Sequence, residues 1–321
     1  MNILFITSTR VGDAILSSGL LERLVSTHPT ADITIACGPA AKPLFHNVPN
    51  LKRIIVLEKM LFSLHWLVMW WSTVGTIWDV IIDLRNTPMS YLLITKRRHR
   101  IKRKKVLGHR VEQLAAVMGL GDNPPSPKVW ISNHAKVNAI KIIPKGSPVL
   151  AIGPAANWSA KTWNPDYFVD LIERLTNKDG ILPNARIAIF GRDDERPLVL
   201  RIIESIPNER CIDLVGKINL IEVGACLERA DFYIGNDSGL MHLAAAVGIP
   251  TLGLFGPSLE ELYAPWGKLG AAVRSDKSFD EIFPENFDHR NTGSLMDSLT
   301  VDRVEIAANE LWRSTSGVRY E

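Results

Sequence analysis

The feature that most constrains this chain is a regular switch between two hydrophobic patterns. Short, unbroken apolar runs at 3–7, 33–36, 53–57 and 80–84 are separated by stretches of helical spacing at about 13–27, 40–47 and 60–77. A run without polar alternation suits a strand buried on both faces, and such strands belong to parallel sheets covered by crossover helices. Further helices are expected near 88–95 and 109–119. Residues 122–147 then break the rhythm with Pro124, Pro125, Pro127 and Pro144, which reads as a linker. Alternation restarts with strands at 149–152, 186–190, 212–214, 232–234 and 251–254. Helices are expected between them at about 165–177, 195–205, 219–229 and 239–247, and a last one at about 301–313. The expected class is α/β, with two Rossmann-like doubly wound domains (1–145 and 146–321) facing each other across a cleft.

Charge separates the same two halves. Residues 1–145 hold 20 Lys/Arg against 8 Asp/Glu, a net +12, and the remainder carries −9, so the overall +3 hides a strong asymmetry. The first half is therefore expected to meet something anionic: nucleic acid, a membrane surface or an acidic substrate. Most of its excess lies in Lys96–Lys105, which contributes +8 in ten residues. Such a run reads either as a solvated surface or as a contact for anionic lipid. Nucleic acid is disfavoured because no zinc-finger, RRM, KH or defensible helix-turn-helix pattern accompanies the charge.

Between Leu61 and Trp78 no Asp, Glu, Lys or Arg occurs. Eighteen residues is near the lower limit for a membrane span, but Ser63, His65, Ser72, Thr73 and Gly75 interrupt the stretch. A packed helix, or one whose Trp-rich side touches a bilayer interface, fits it better. The start MNILFITSTR lacks the pattern of a signal peptide. Cys37, Cys211 and Cys226 are odd in number and lack metal-ligand spacing, as expected of buried thiols in a reduced compartment. Together these point to a cytoplasmic protein.

Three strand-to-helix junctions carry candidate chemistry. The first, Thr7-Ser8-Thr9-Arg10-Val11-Gly12-Asp13, lacks G-x-G-x-x-G, so no dinucleotide cofactor is expected there. Asp13 at the helix start is either a general base or an ordinary cap. The second, Gly235-Asn236-Asp237-Ser238-Gly239-Leu240-Met241-His242, opens a helix whose amides suit a phosphate, with Gly239 allowing close approach and His242 one turn on. Its plain alternative is a capped helix with a core histidine. The third, Gly153–Trp163, offers Lys161 to an anion or to solvent, and Gly191–Glu195 lies on another strand end of the same half. No Asp-x-Asp pair occurs in the chain, so a bound pyrophosphate would be neutralised by helix amides and Lys161 rather than by a metal.

Arg10-Val11-Gly12-Asp13, Lys161-Thr162-Trp163-Asn164-Pro165 and Asp237–His242 resemble the three signature segments of the heptosyltransferase-type glycosyltransferases of lipopolysaccharide core assembly (glycosyltransferase family 9). Gly248-Ile249-Pro250, Leu254-Phe255-Gly256-Pro257 and His109-Arg110-Val111-Glu112 are similar to further patterns of that family, and the resemblance runs from residue 1 to about 266. It implies a metal-independent, inverting GT-B glycosyltransferase without a cofactor. The C-terminal domain would bind a nucleoside-diphosphate sugar, ADP-heptose in typical members. The N-terminal domain would take an anionic glycolipid acceptor at the cytoplasmic face of the inner membrane, where the protein would be peripheral. Carried over by position, Asp13 is the catalytic base. Lys161, Asp237, Ser238, Gly239 and His242 bind donor phosphate, Glu195 the ribose, and Asn157 belongs to the donor loop. Arg10, Gly12, Arg85, Arg97, Arg98, Arg100, Lys102 and Arg103 are assigned to acceptor or membrane. Ala156-Asn157 stand where many relatives have two threonines, and Ser238 where most have Thr. The rivals are a GT-B sugar-nucleotide epimerase or hydrolase and a non-catalytic sugar-nucleotide-binding module.

Overall fold

The computed structural model describes residues 1–101, 108–283 and 292–315. The chain divides into two compact units, Met1–Trp130 and Ile131–Glu321, each built on one parallel sheet.

In the first unit β1 (Asn2–Ile6), β2 (Asp32–Cys37), β3 (Leu51–Val56), β4 (Trp78–Asp83) and β5 (Thr95–Arg100) lie in the order β3-β2-β1-β4-β5. Ile3, Leu4, Phe5 and Ile6 are fully buried, as a central strand covered on both faces demands. Helices α1 (Val11–Thr27), α2 (His65–Thr73) and α3 (Arg110–Ala115) connect or flank these strands, with a 3₁₀ turn at Pro88–Leu92. A Cβ at Gly19 of α1 would overlap the Pro125 carbonyl. The proline-rich stretch therefore runs directly over α1, fastened where Lys128 N donates to Ser18 Oγ at 2.8 Å.

Three expectations change here. The apolar stretch 61–78 is not one helix. Phe62 and Ser63 turn through left-handed backbone, α2 covers only His65–Thr73, and Trp78 already belongs to β4. Among the described residues no helix is long and apolar enough to cross a membrane. The expected helix at 88–95 stops at Leu92, and the basic run begins as the edge strand β5. Its side chains alternate between two faces, and charge had concealed that period.

In the second unit β6 (Val149–Gly153), β7 (Arg186–Ile189), β8 (Cys211–Asp213), β9 (Phe232–Asn236), β10 (Thr251–Phe255) and β11 (Gly270–Arg274) lie in the order β11-β10-β9-β6-β7-β8. Around them are α4 (Asn133–Ile142), α5 (Pro165–Thr176), α6 (Arg196–Ser205), α7 (Leu220–Leu227), α8 (Gly239–Ala246), α9 (Glu260–Tyr263), α10 (Phe279–Ile282) and α11 (Val301–Thr315). The stretch expected as a linker, 122–147, holds α4, which Ser132 caps by accepting from Ala135 N at 3.2 Å and which packs on α7. Trp163, Phe168, Leu171, Ile187 and Val304 share one buried core. Cys37 and Cys226 are buried and their thiols pushed up to about 12 by desolvation, while Cys211 is half-buried. In both sheets strand order reverses beside the first strand, between β1 and β4 and between β6 and β9. At such a reversal the loops leaving the strands' carboxyl ends part and leave a crevice.

Candidate functional site

At the reversal in the first unit, a cavity of about 280 Å³ is lined by Thr7, Ser8, Asp13, Ser17, Arg85 and Arg110, among others. Asp13 stands in the first turn of α1, and its Oδ2 accepts from Ser8 Oγ at 3.4 Å. Arg10 is the N-cap residue and its backbone N–H goes to Ser8 Oγ at 3.2 Å rather than to Asp13, which lines the cavity. Thr7 Oγ1 and Ser17 Oγ are hydrogen-bonded at 2.6 Å and form part of the wall behind it. The far wall is set by Asp83, a fully buried carboxylate at the end of β4. It accepts from Arg85 N (2.9 Å), Thr87 N (2.8 Å), Ser90 Oγ (2.7 Å) and Arg100 Nε (3.3 Å), which fixes the turn that carries Arg85. Arg110 gives one N–H to Gln113 Oε1 at 3.1 Å, while its Nε is buried without a partner. Two guanidinium groups thus share a cavity with one candidate base.

The acceptor and membrane residues expected from sequence fall into separate groups. Arg10, Gly12 and Arg85 lie around the carboxyl ends of β1 and β4. Arg100 is largely buried, bonded to Asp83 and stacked over the Tyr91 ring at 3.5 Å, and Arg98 donates to Leu93 O at 2.6 Å. These two hold β5 against its neighbours and are not a free charged surface. Arg97 is exposed. Lys102 and Arg103 lie outside the described residues.

In the second unit the candidate donor residues converge at the ends of β6, β7 and β9. Lys161 Nζ donates to Asp237 Oδ2 at 2.5 Å, and His242 Nε2 lies 3.8 Å from the other Asp237 oxygen. The pairing follows from how the loops are tied. Asn236, fully buried at the end of β9, donates to Pro154 O at 2.7 Å and accepts from Trp163 N at 3.2 Å. Trp163 is buried against Phe168 and donates its Nε1 to Leu299 O at 2.7 Å. A segment further along holds the Lys161 loop from outside, through Ser294 Oγ to Thr162 O (2.7 Å) and Leu295 N to Ala160 O (3.0 Å).

Ser238 is the N-cap residue of α8, yet its side chain makes no cap bond, and its buried hydroxyl has no partner. The positive end of α8 thus carries no side-chain cap, with Gly239 as its first helical residue. Glu195 is nearly buried, accepting from Arg192 N at 2.8 Å and pairing with the Arg192 guanidinium at 3.2 Å. Asn157 is exposed on the loop before Lys161.

Sequence reasoning missed Tyr233. Its hydroxyl is wholly buried and lies so close to Gly153 and Gly235 that a Cβ at either position would collide with it. Burial pushes the phenol well above its ordinary value, against the opposing pull of the nearby Ser238 hydroxyl. The glycines framing β6 and β9 were its only trace in the sequence. Arg110, quoted from sequence only within the His109–Glu112 pattern, was given no site role, because only the fold brings α3 to Asp13.

Residues 79–283 match the family model of glycosyltransferase family 9 (heptosyltransferase). The chain is 26% identical to lipooligosaccharide heptosyltransferase 2 of Haemophilus influenzae over 311 residues, which cover 85% of this chain and 88% of that protein. Among solved structures it is similar to a family 9 glycosyl transferase from Veillonella parvula, with a TM-score of 0.78 and 20% identity over 97% of each chain. It is also similar to the E. coli ADP-heptose lps heptosyltransferase II, with a TM-score of 0.76 and 21% identity over 98% of this chain and 100% of that one. Both share its fold of two parallel-sheet α/β domains, the GT-B type. With the family model matching residues 79–283, well over half of its length, the chain belongs to glycosyltransferase family 9, the heptosyltransferases, and is a glycosyltransferase.

Proposed function

We propose that this enzyme transfers heptose from ADP-heptose to a lipopolysaccharide core acceptor, by a single displacement with inversion and without a metal ion. The observation that carries the reading is the lysine–aspartate pair Lys161–Asp237 beside an α8 terminus with no side-chain cap. An ammonium group, helix amides and an unpartnered Ser238 hydroxyl at one point suit a diphosphate. The H. influenzae and E. coli relatives, named for heptose transfer, supply the sugar and the acceptor class.

Asp13 takes the proton from the acceptor hydroxyl, a contribution of roughly 10²–10⁴-fold. The hydroxyl attacks the anomeric carbon from the face opposite the leaving ADP. Charge on the departing diphosphate is met by Lys161 and by the amides at Ser238 and Gly239. A carboxylate in contact with that diphosphate would repel it, so Asp237 serves by orienting Lys161 and His242. Glu195, held by Arg192, faces the ribose, and Asn157 adjoins the donor. Arg10, Arg85 and Arg110 bind acidic groups of the acceptor, with Gly12 allowing its close approach, and the first unit rests peripherally on the inner membrane's cytoplasmic face.

The test is transfer from ADP-heptose to heptose-deficient lipopolysaccharide, with the product's anomeric configuration read by NMR. Asp13→Asn is expected to lower turnover by at least about 10²-fold and leave ADP-heptose affinity unchanged. Near-wild-type turnover by that variant removes the base assignment, and activity lost to EDTA and restored by a divalent cation removes metal independence.

A further inference from the structure

The first unit wears its hydrophobic residues outward on one side. The turn before α2 exposes Leu61 (76%) and Phe62 (86%), and α2 itself exposes Trp71 (78%). Helix α2 packs beside the Pro88–Leu92 turn, where Leu92 is also exposed. Ile77 and Ile94 continue the band at the starts of β4 and β5, which are joined there by Trp78 N donating to Ile94 O at 3.0 Å. Trp66 and Trp70, on the inner side of α2, pack on the core, so the helix is anchored by one side while the other is exposed. An apolar surface this concentrated marks an interaction site.

Its surroundings identify the partner. The described residues of 51–110 carry nine Lys/Arg against three Asp/Glu. Of those three acids, Asp83 is buried and Asp79 is paired with Lys96 at 2.6 Å. Arg53 bonds the Ser72 carbonyl on the last turn of α2, and Arg85 lies over the Trp66 ring at 6.0 Å. Lys59 and Arg97 are exposed. A second copy of the chain, docked through the same face, would set this positive rim against itself. An anionic leaflet meets both demands, because its acyl boundary receives the apolar side chains while its headgroups receive the rim. Tryptophan is also the side chain that favours the headgroup level.

We infer that Leu61, Phe62, Trp71, Leu92 and Ile94, with the surrounding Lys and Arg residues, form the surface that seats the enzyme on an anionic bilayer. The inference rests on the peripheral-membrane reading above and names the surface for it. Arg98 and Arg100, engaged within the fold, are not part of that contact.

The experiment is co-sedimentation of the full chain with vesicles of phosphatidylcholine alone and of phosphatidylcholine mixed with phosphatidylglycerol. Wild type is expected to bind the mixed vesicles and to be released by raised salt. Phe62→Ser/Trp71→Ser is expected to bind at least about tenfold more weakly, while its turnover of a water-soluble, deacylated acceptor is unchanged. If that variant melts earlier than wild type, Leu92→Ser/Ile94→Ser carries the same test. Wild type that ignores anionic vesicles, or variants that bind as well as wild type, overturns the inference. So does a wild-type dimer that the variants convert to monomer, which would make the face a self-association surface. Transfer to the soluble acceptor by wild type reports on the enzymatic reading alone, so the two failures are distinguishable.

Discussion

Replacing Lys161 with Met tests whether Asp237 serves the lysine or the donor. The Asp237 side chain is 6% exposed and that of Lys161 22%, with 2.5 Å between their charged atoms. Two unit charges about 4 Å apart attract by about 1 kcal/mol in bulk water and about 4 kcal/mol at an effective dielectric near 20, and this pair is closer to the second case. Removing one partner of a buried pair costs roughly 3–5 kcal/mol, because the other charge stays buried and uncompensated. The access of Lys161 to water puts Lys161→Met near the low end, about 3 kcal/mol. For a unit of this size that corresponds to a fall of roughly 6–12 °C in the melting temperature of the second unit. Adding Asp237→Asn removes the stranded charge and should restore most of the loss. Affinity for ADP should behave otherwise. The single and double variants should both bind ADP about 10–100-fold more weakly, since neither has the cation. Differential scanning calorimetry reads the first quantity and titration calorimetry the second. If the double variant stays as unstable as Lys161→Met, Asp237 is not an uncompensated charge in that variant. If it regains ADP affinity, the lysine is not the phosphate ligand.

Two further outcomes follow from other buried groups. Asp83→Ala strands the Arg100 guanidinium, whose side chain is 10% exposed, and should cost about 3–5 kcal/mol in urea unfolding of the first unit; a loss below about 1 kcal/mol would show that the pair is not a buried one. Tyr233→Phe removes a buried hydroxyl with no partner and should leave stability unchanged or raise it by about 1 kcal/mol. Because burial holds the folded-state phenol above its unfolded value near 10, wild type should lose stability as pH climbs past about 10, and the phenylalanine variant should lose less. Parallel pH profiles for the two proteins would refute the burial argument.

Much of the fold was legible because buried parallel strands advertise themselves as apolar runs, and nine of the eleven strands among the described residues contain one. The two that did not are instructive. Strand β5 reads Thr-Lys-Arg-Arg-His-Arg, and β11 reads Gly-Ala-Ala-Val-Arg. The first is paired on one side only, and the second is built of small residues, so neither had the composition of a central strand. Helix α4 was hidden by neighbouring prolines, although Ser132 was a serviceable cap. At the site, residue types and spacing pointed to Asp13, Lys161, Asp237 and Ser238 one by one. That Lys161 and Asp237 bond each other was not legible, since it depends on Asn236 tying together loops about eighty positions apart. The roles of Tyr233 and Arg110 were hidden for the same reason.

Strand β5 has a further consequence. As the last strand of its sheet among the described residues, it leaves one row of backbone amides and carbonyls without a neighbouring strand there, and such a row can recruit a strand from another molecule. A strand made of Lys, Arg and His resists that, because a second copy arriving edge to edge would bring the same charge. Whatever the basic run contributes at a membrane, it also keeps the sheet finite. Substitutions that neutralise Lys96 and Arg97 to weaken lipid contact would at the same time unguard the edge, and their effects on solubility should be separated from their effects on binding.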